Sequence, residues 1–247
     1  MEDVQKIKDQ AYSKDRETFL QDIQGDRSLK YFMDHFPKYA NKVEMSRFLA
    51  RHELYKLILN TRGSIVECGV AEGEGLLTWA QLSTIHEPMG VWRHIYGFDS
   101  FEGFPHVHEN DVKSLEESPW KPGDLKHNTY DELLKCIEML DRSPYPPHFP
   151  KVELIKGDFL ETGEQFLKDN PQFLISLLFL DFDLYEPTKK AIELFLPRMP
   201  KGSVIAFDEL NHHRWPGETM AFLETMNIRN VHLKTLPYTQ RISYAVL

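Results

Sequence analysis

The chain has 247 residues, 41% of them hydrophobic, which suits one α/β domain with its own core and an added cap. A net charge of −9, from 38 acidic and 29 basic residues, argues against a nucleic acid as partner. No apolar stretch reaches the roughly 18–20 residues of a membrane helix, no signal peptide opens the chain, and Cys68 and Cys136 lie outside any C-x-x-C pattern, so the expectation is a cytoplasmic protein with two reduced core thiols.

Residues 1–60 read as helical. "SRFLARHELYKLILN" places Phe48, Leu49, His52, Tyr55, Leu57 and Ile58 near an i, i+3, i+4 spacing, and this part is expected to form a helical cap or lid on a domain spanning 61–247. Short runs rich in β-branched and aromatic residues follow at 64–70, 94–100, 151–157, 174–181 and 202–209, each ending at glycine or an acid. Helix-like segments at 75–85, 128–141, 161–169, 187–196 and 217–226 lie between most of them. The alternation predicts βαβ units and a parallel sheet, and the near-continuous apolar strands agree with a sheet covered on both faces. The closing "YTQRISYAVL" reads as a last strand, antiparallel at an edge. Residues 104–150 break the rhythm with Pro105, Pro119, Pro122, Pro144, Pro146, Pro147, Pro150, His106 and His108, a composition that predicts a lid or binding loop.

The first strand leads into "VECGVAEGEG". Its Gly69, Gly73 and Gly75 allow a tight turn and close backbone approach to a ligand. The spacing G-x-x-x-G-x-G is not the dinucleotide fingerprint, and Glu67 and Glu72 bring negative charge where a pyrophosphate would sit. That argues against NAD and tolerates a phosphate-free donor with an ammonium group, such as S-adenosylmethionine. Asp99 ends the second strand, where an acid can accept from ribose hydroxyls, and Asp158 ends the third, where it can take an adenine amine. Each acid alone also suits a helix cap or a turn.

"LISLLFLDFDLYEP" carries an apolar strand into Asp181 and Asp183, and "VIAFDE" ends on Asp208 and Glu209. If these strands are parallel neighbours, the carboxylates meet at one edge of the donor pocket. Two such charges about 4 Å apart repel by about 4 kcal/mol at an effective dielectric near 20, so the set either protonates in part or holds a cation. All-oxygen ligands select a hard ion, Mg²⁺ before Mn²⁺ or Ca²⁺, with Zn²⁺ an alternative through His212 and His213. The competing reading is that Asp181 and Asp208 cap the helices that follow. A bound divalent cation lowers the pKa of a hydroxyl, and a nearby carboxylate, Asp183, can take its proton.

"VECGVAEGEG", "YGFDSFEGFP", "LDFDLYEPT" and "VIAFDE" together resemble the macrocin O-methyltransferase (TylF-like) family of class I S-adenosylmethionine-dependent enzymes, over residues 40–247. The resemblance implies a Rossmann-like fold with a mostly parallel seven-stranded sheet, helices on both faces, and Mg²⁺-dependent methylation of a sugar hydroxyl. It implies metal positions at Asp181, Asp208 and Glu209, with Asp183 as base, and cofactor positions at Glu67, Gly69, Asp99 and Asp158. Val70, Gly73, Thr78, Ser100, Phe159 and Asp181 are the further cofactor candidates. In catechol O-methyltransferase, which shares this layout of acids, a lysine serves as base; Leu184 stands in that stretch here. This chain departs from the family in having Glu209 where a second Asp is common, in Glu72 where many members are basic, and in a longer, proline-rich 104–150 insertion. Acceptor candidates are Arg47, Arg51, Tyr185, His212 and Trp215, for a sugar, a sugar nucleotide or a sugar-bearing natural product. A homodimer or higher homo-oligomer is expected through the N-terminal helices. A metal-dependent hydroxylase-type enzyme and a non-catalytic binding module are the competing functions.

Overall fold

The computed structural model describes residues 2–112, 119–142, 150–239 and 241–247, with side chains from residue 12 onward. The chain divides into two compact units, Met1–Arg47 and Phe48–Leu247. The first unit contains α1 (Glu2–Gln24) and α2 (Leu29–Asp34). Arg16 ties it internally, donating to the Tyr39 carbonyl at 3.0 Å and to the Glu44 carboxylate at 2.9 Å. Helix α3 spans Lys42–Leu57. Its Ala50, Leu54 and Tyr55, with Ile58 just beyond, are fully buried in the main core.

The second unit is built on seven strands: β1 (Ser64–Cys68), β2 (Ile95–Asp99), β3 (Val152–Lys156), β4 (Ile175–Leu180), β5 (Val204–Phe207), β6 (Lys234–Thr235) and β7 (Ser243–Val246). Their spatial order is β3-β2-β1-β4-β5-β7-β6. The first five are parallel, whereas β7 runs antiparallel to β5 and to β6. Every residue of β1, β4 and β5 is buried, because helices cover both faces. The last strand is antiparallel as expected, but it is not the edge: the two-residue β6 lies outside it. Two residues with no alternation carry too little pattern to be read from sequence. Charged residues guard both edges, Glu153 and Lys156 on β3 and Lys234 on β6, which discourages pairing with another sheet.

Helices α4 (Glu74–His86), α5 (Tyr130–Asp141), α6 (Phe159–Asp169), α7 (Tyr185–Phe195) and α8 (Gly217–Thr225) connect the strands. One cluster of apolar side chains includes Leu76, Trp79, Ile137, Phe179 and α3; another joins Phe98, Phe159, Phe166, Phe195 and Phe222. Below the sheet, the buried Arg93 staples loops together by donating to the carbonyls of Gly63, Ile58 and Thr61 and to Ser176. Of the two free thiols, Cys68 is buried as expected; Cys136 is partly exposed on α5, beside Leu77 and Met139 in a cleft against α4. Among the described residues no helix is long and apolar enough to cross a membrane.

Part of the proline-rich stretch is anchored. Phe104 exchanges backbone hydrogen bonds with Gly123 and Asp124, and in the 3₁₀ turn at Glu109–Asp111 the Asp111 carboxylate accepts from Tyr185 N at the start of α7. Leu133 and Ile137 of α5 enter the core. Pro144, Pro146 and Pro147 lie outside the described residues.

Candidate active site

The strand order switches between the parallel neighbours β1 and β4, and ligands of open α/β sheets bind at such a switch point. The carboxyl ends of β1, β2, β4 and β5 all carry sequence-predicted site residues. Asp181 N donates to Cys68 O at 2.8 Å and Asp208 N to Leu180 O at 3.1 Å, so both acids continue the ladder just past the strand tips.

On the donor side, Glu67 points inward at 2% exposure and accepts a hydrogen bond from Trp79 Nε1. Burial pushes its carboxyl up to about 7 despite the nearby Arg51 cation. Gly75 makes room for that carboxylate: an added Cβ would lie 2.2 Å from Glu67 Oε1. Gly69, at φ +91°, passes so close to β4 that a Cβ would meet the Asp181 carbonyl at 1.9 Å. Gly73 is left-handed at φ +81° and opens α4 with no side-chain cap. Asp99 Oδ2 accepts from the backbone N–H groups of Val70 and Ala71 at 2.8 and 2.9 Å, and Oδ1 from Phe101 N at 2.7 Å. It therefore locks the glycine turn to β2, with lone pairs left on each oxygen. Ser100 Oγ donates to Gly103 O within the next turn. Asp158 caps α6 through Leu160 N, and Phe159 is a core side chain, so the capping reading holds for Asp158. Thr78 is buried and donates to Glu74 O inside α4.

On the acid side, the capping reading fails. Helices α7 and α8 open at Leu184 and Pro216, so neither Asp181 nor Asp208 caps them. Burial, then the charges of Asp208, Asp183 and Glu67, raise Asp181 well above the usual carboxylate range. Burial, then Glu209 and Asp208, push Asp183 up to about 7. Asp183 also holds a left-handed backbone at φ 60°, an uncommon conformation that clusters at functional sites. Among the described residues no three His, Cys, Asp or Glu side chains converge at ion-binding spacing. Glu209 Oε1 is instead held by Arg241 Nη1 at 2.7 Å, and the same nitrogen is 3.7 Å from Asp208 Oδ2.

Three site residues escaped the sequence. Glu218 on α8 is fully buried, accepts from Glu209 N at 2.9 Å, and keeps Oε1 unpartnered. Burial, then Asp181, raise its carboxyl well above the ordinary range. Asp111, at 2% exposure, accepts from Tyr185 N and so supplies the α7 N-terminus with a carboxylate from the insertion. Arg241 is the third. A buried acid on a helix and an arginine in a loop look ordinary in sequence; only the fold brings them to the strand tips.

The acceptor candidates scatter. Arg47 belongs to the Met1–Arg47 unit. Arg51 is 6% exposed, lies over the Phe179 and Trp79 rings at 5.4 and 6.0 Å, and reaches Glu74 at 3.4 Å. It therefore faces the donor-side acids. Tyr185 is buried, stacks on His108, and gives its hydroxyl to Glu224 at 2.6 Å. His212 Nδ1 lies 3.5 Å from Glu209 Oε2, and burial lowers its pKa below the ordinary histidine value. Trp215 stacks on Trp120 with ring centroids 4.1 Å apart, so the insertion joins the loop after β5 through paired indoles.

Residues 66–210 match a family model described as a methyltransferase domain. A crystal structure of CalS11, described as a calicheamicin methyltransferase, is 31% identical over 96% of this chain and 92% of that one, with a TM-score of 0.85. An apo structure of CalS11, described as a TDP-rhamnose 3'-O-methyltransferase of calicheamicin biosynthesis, is 30% identical over 96% of this chain and 94% of that one, with a TM-score of 0.80. The O-methyltransferase NovP shares the fold at 20% identity, over 81% of this chain and 78% of that one, with a TM-score of 0.61. A search of curated protein sequences finds no match. With the donor-side glycines, the buried Glu67 and the seven-stranded sheet in place, the hydroxylase and binding-module readings give way: the chain belongs to the methyltransferase-domain family and is an S-adenosylmethionine-dependent O-methyltransferase of class I fold.

Proposed function

We propose that this enzyme methylates a hydroxyl of a sugar, carried on a nucleotide or a natural product, with a hard divalent cation held by Asp181, Asp208 and Glu209, Mg²⁺ being preferred over Mn²⁺. The observation that carries this reading is the acid cluster at the tips of β4 and β5. Burial and the charges of neighbouring acids raise the pKa values of Asp181 and Asp183, and neither Asp181 nor Asp208 caps a helix. A set of oxygen donors short of positive charge fits a hard cation, and the Arg241 contact shows that Asp208 and Glu209 already share one positive group. The name printed for CalS11 supports a sugar acceptor. The four sequence stretches quoted above support a place with the TylF-like enzymes.

When bound, the cation would lower the pKa of the acceptor hydroxyl and fix its position. The donor supplies a methyl sulfonium, and the acceptor oxygen takes the methyl group as the carbon–sulfur bond breaks. Glu67 and the Gly69–Gly75 turn hold the donor. Asp183, beside Asp208 and Glu209, takes the hydroxyl proton. Asp111, Tyr185 and the Trp120–Trp215 pair fix the insertion next to the acids, where it acts as a lid and shapes acceptor choice. Alignment of the oxygen with the methyl group carries much of the rate. Exposed Phe19, Leu29, Met33 and Phe36 on the Met1–Arg47 unit support pairing of subunits into a homodimer.

The test is product analysis after incubation with methyl-labelled donor and a panel of sugar nucleotides and free deoxysugars. The reading expects label on a sugar oxygen; label only on nitrogen, carbon or phenolic acceptors contradicts it.

A further inference from the structure

Asp208 and Glu209 are already engaged by a cation of this chain. Strand β7 pairs antiparallel with β5, with Phe207 opposite Ser243. Extending that register by two residues, past the last pair, places Arg241 opposite Glu209. Ile242, at 2% exposure, anchors the backbone beside it. From this position Arg241 Nη1 donates to Glu209 Oε1 at 2.7 Å and approaches Asp208 Oδ2 at 3.7 Å. The two ends of the contact differ. The Glu209 side chain is 3% exposed and fixed, whereas the Arg241 side chain is 51% exposed and free to swing into solvent. The acids are backed by Glu218, fully buried, whose Oε1 has no partner.

We propose that Arg241 is a resident counter-cation, seated on two of the three acids assigned to the divalent ion, and that the ion binds only by displacing it. The inference rests on the metal reading of these acids given above. A guanidinium has five donors and no lone pair, so it cannot join the ion as a ligand. It must leave, because a guanidinium and a divalent cation on the same oxygens repel. Leaving is easy for a half-exposed side chain that regains water. Arg241 thus keeps the site from holding an ion tightly, and is a positioning residue with no contact to the reacting atoms.

The test is isothermal titration calorimetry of Mn²⁺ and Mg²⁺ into the full chain, in wild type, Arg241→Gln and Arg241→Lys, with S-adenosylhomocysteine affinity measured without ion as a control for folding. The expected result is ion binding about tenfold tighter in Arg241→Gln, about 1.4 kcal/mol. Arg241→Lys should fall near wild type, because it keeps the charge. A second readout is thermal unfolding: Arg241→Gln should lower the melting temperature of the metal-free chain and leave that of the ion-loaded chain unchanged. Equal or weaker ion affinity in Arg241→Gln overturns the displacement inference and leaves the metal reading standing. Absence of ion binding in all three chains overturns both.

Discussion

Replacing Glu67 by Gln should make the metal-free, donor-free protein more stable at pH 8 and leave it nearly unchanged at pH 5. Glu67 is 2% exposed, and its pKa rises from an ordinary 4.5 to about 7 because burial disfavours the charged form. Between those values the unfolded chain is ionised while the folded chain holds the proton, so the folded state binds more protons and stability falls as pH rises. At about 1.4 kcal/mol per pH unit the rise amounts to roughly 3 kcal/mol, developed between about pH 4.5 and pH 7 and constant above. Gln has nearly the same volume beside Gly75 and keeps an oxygen for Trp79 Nε1. Urea unfolding at pH 5 and pH 8, in excess chelator, gives the four stabilities needed. Asp183 and the other raised acids contribute to the slope in both chains, so the difference between chains reports Glu67 together with its coupling to Asp181. Parallel pH dependences in wild type and Glu67→Gln would refute the reasoning, as would a variant less stable than wild type at pH 8.

Other perturbations separate the remaining roles. Asp183→Asn should lower kcat by about 10²–10⁴-fold while calorimetry finds donor affinity within about threefold of wild type, since proton transfer is lost and the donor pocket is untouched. Asp181→Asn should abolish turnover and weaken ion binding together. Glu218→Gln should retain the fold, because the neutral amide matches a buried carboxyl kept protonated by burial and by Asp181; Glu218→Lys should cost several kcal/mol in urea unfolding through a buried mismatched group. Gly69→Ala should destabilise the chain by roughly 1–3 kcal/mol from its left-handed backbone alone, with a further loss from the 1.9 Å approach to the Asp181 carbonyl and weaker donor binding.

Much of this architecture was legible because parallel strands covered on both faces leave long apolar runs. Strands β1, β4 and β5 are buried at every residue and were found within one or two residues of their ends. The strand tips followed, and with them Asp181 and Asp208. Sequence could not show that Asp158 serves α6 as a cap while Asp181 caps nothing, because that depends on where the next helix begins: immediately after Asp158, and four residues after Asp181. Tyr185 braces α7, α8 and His108, which sequence could not show, since an aromatic at a helix start gives no sign of which way its ring packs. Glu218, Asp111 and Arg241 come from an α-helix, a 3₁₀ turn and a hairpin far apart in the chain. Their meeting with the acids is a property of topology, and no local pattern announces it.

On the reading proposed above, the carboxylates beyond β4 and β5 form a cation site that activates a hydroxyl for methyl transfer. The most direct measurement is single-turnover methyl transfer, with the enzyme stripped by EDTA and then titrated with Mg²⁺. Turnover should vanish on stripping, return in proportion to ion bound, and fail to return in Asp181→Asn. Full turnover in excess EDTA, or full recovery by Asp181→Asn, would contradict it.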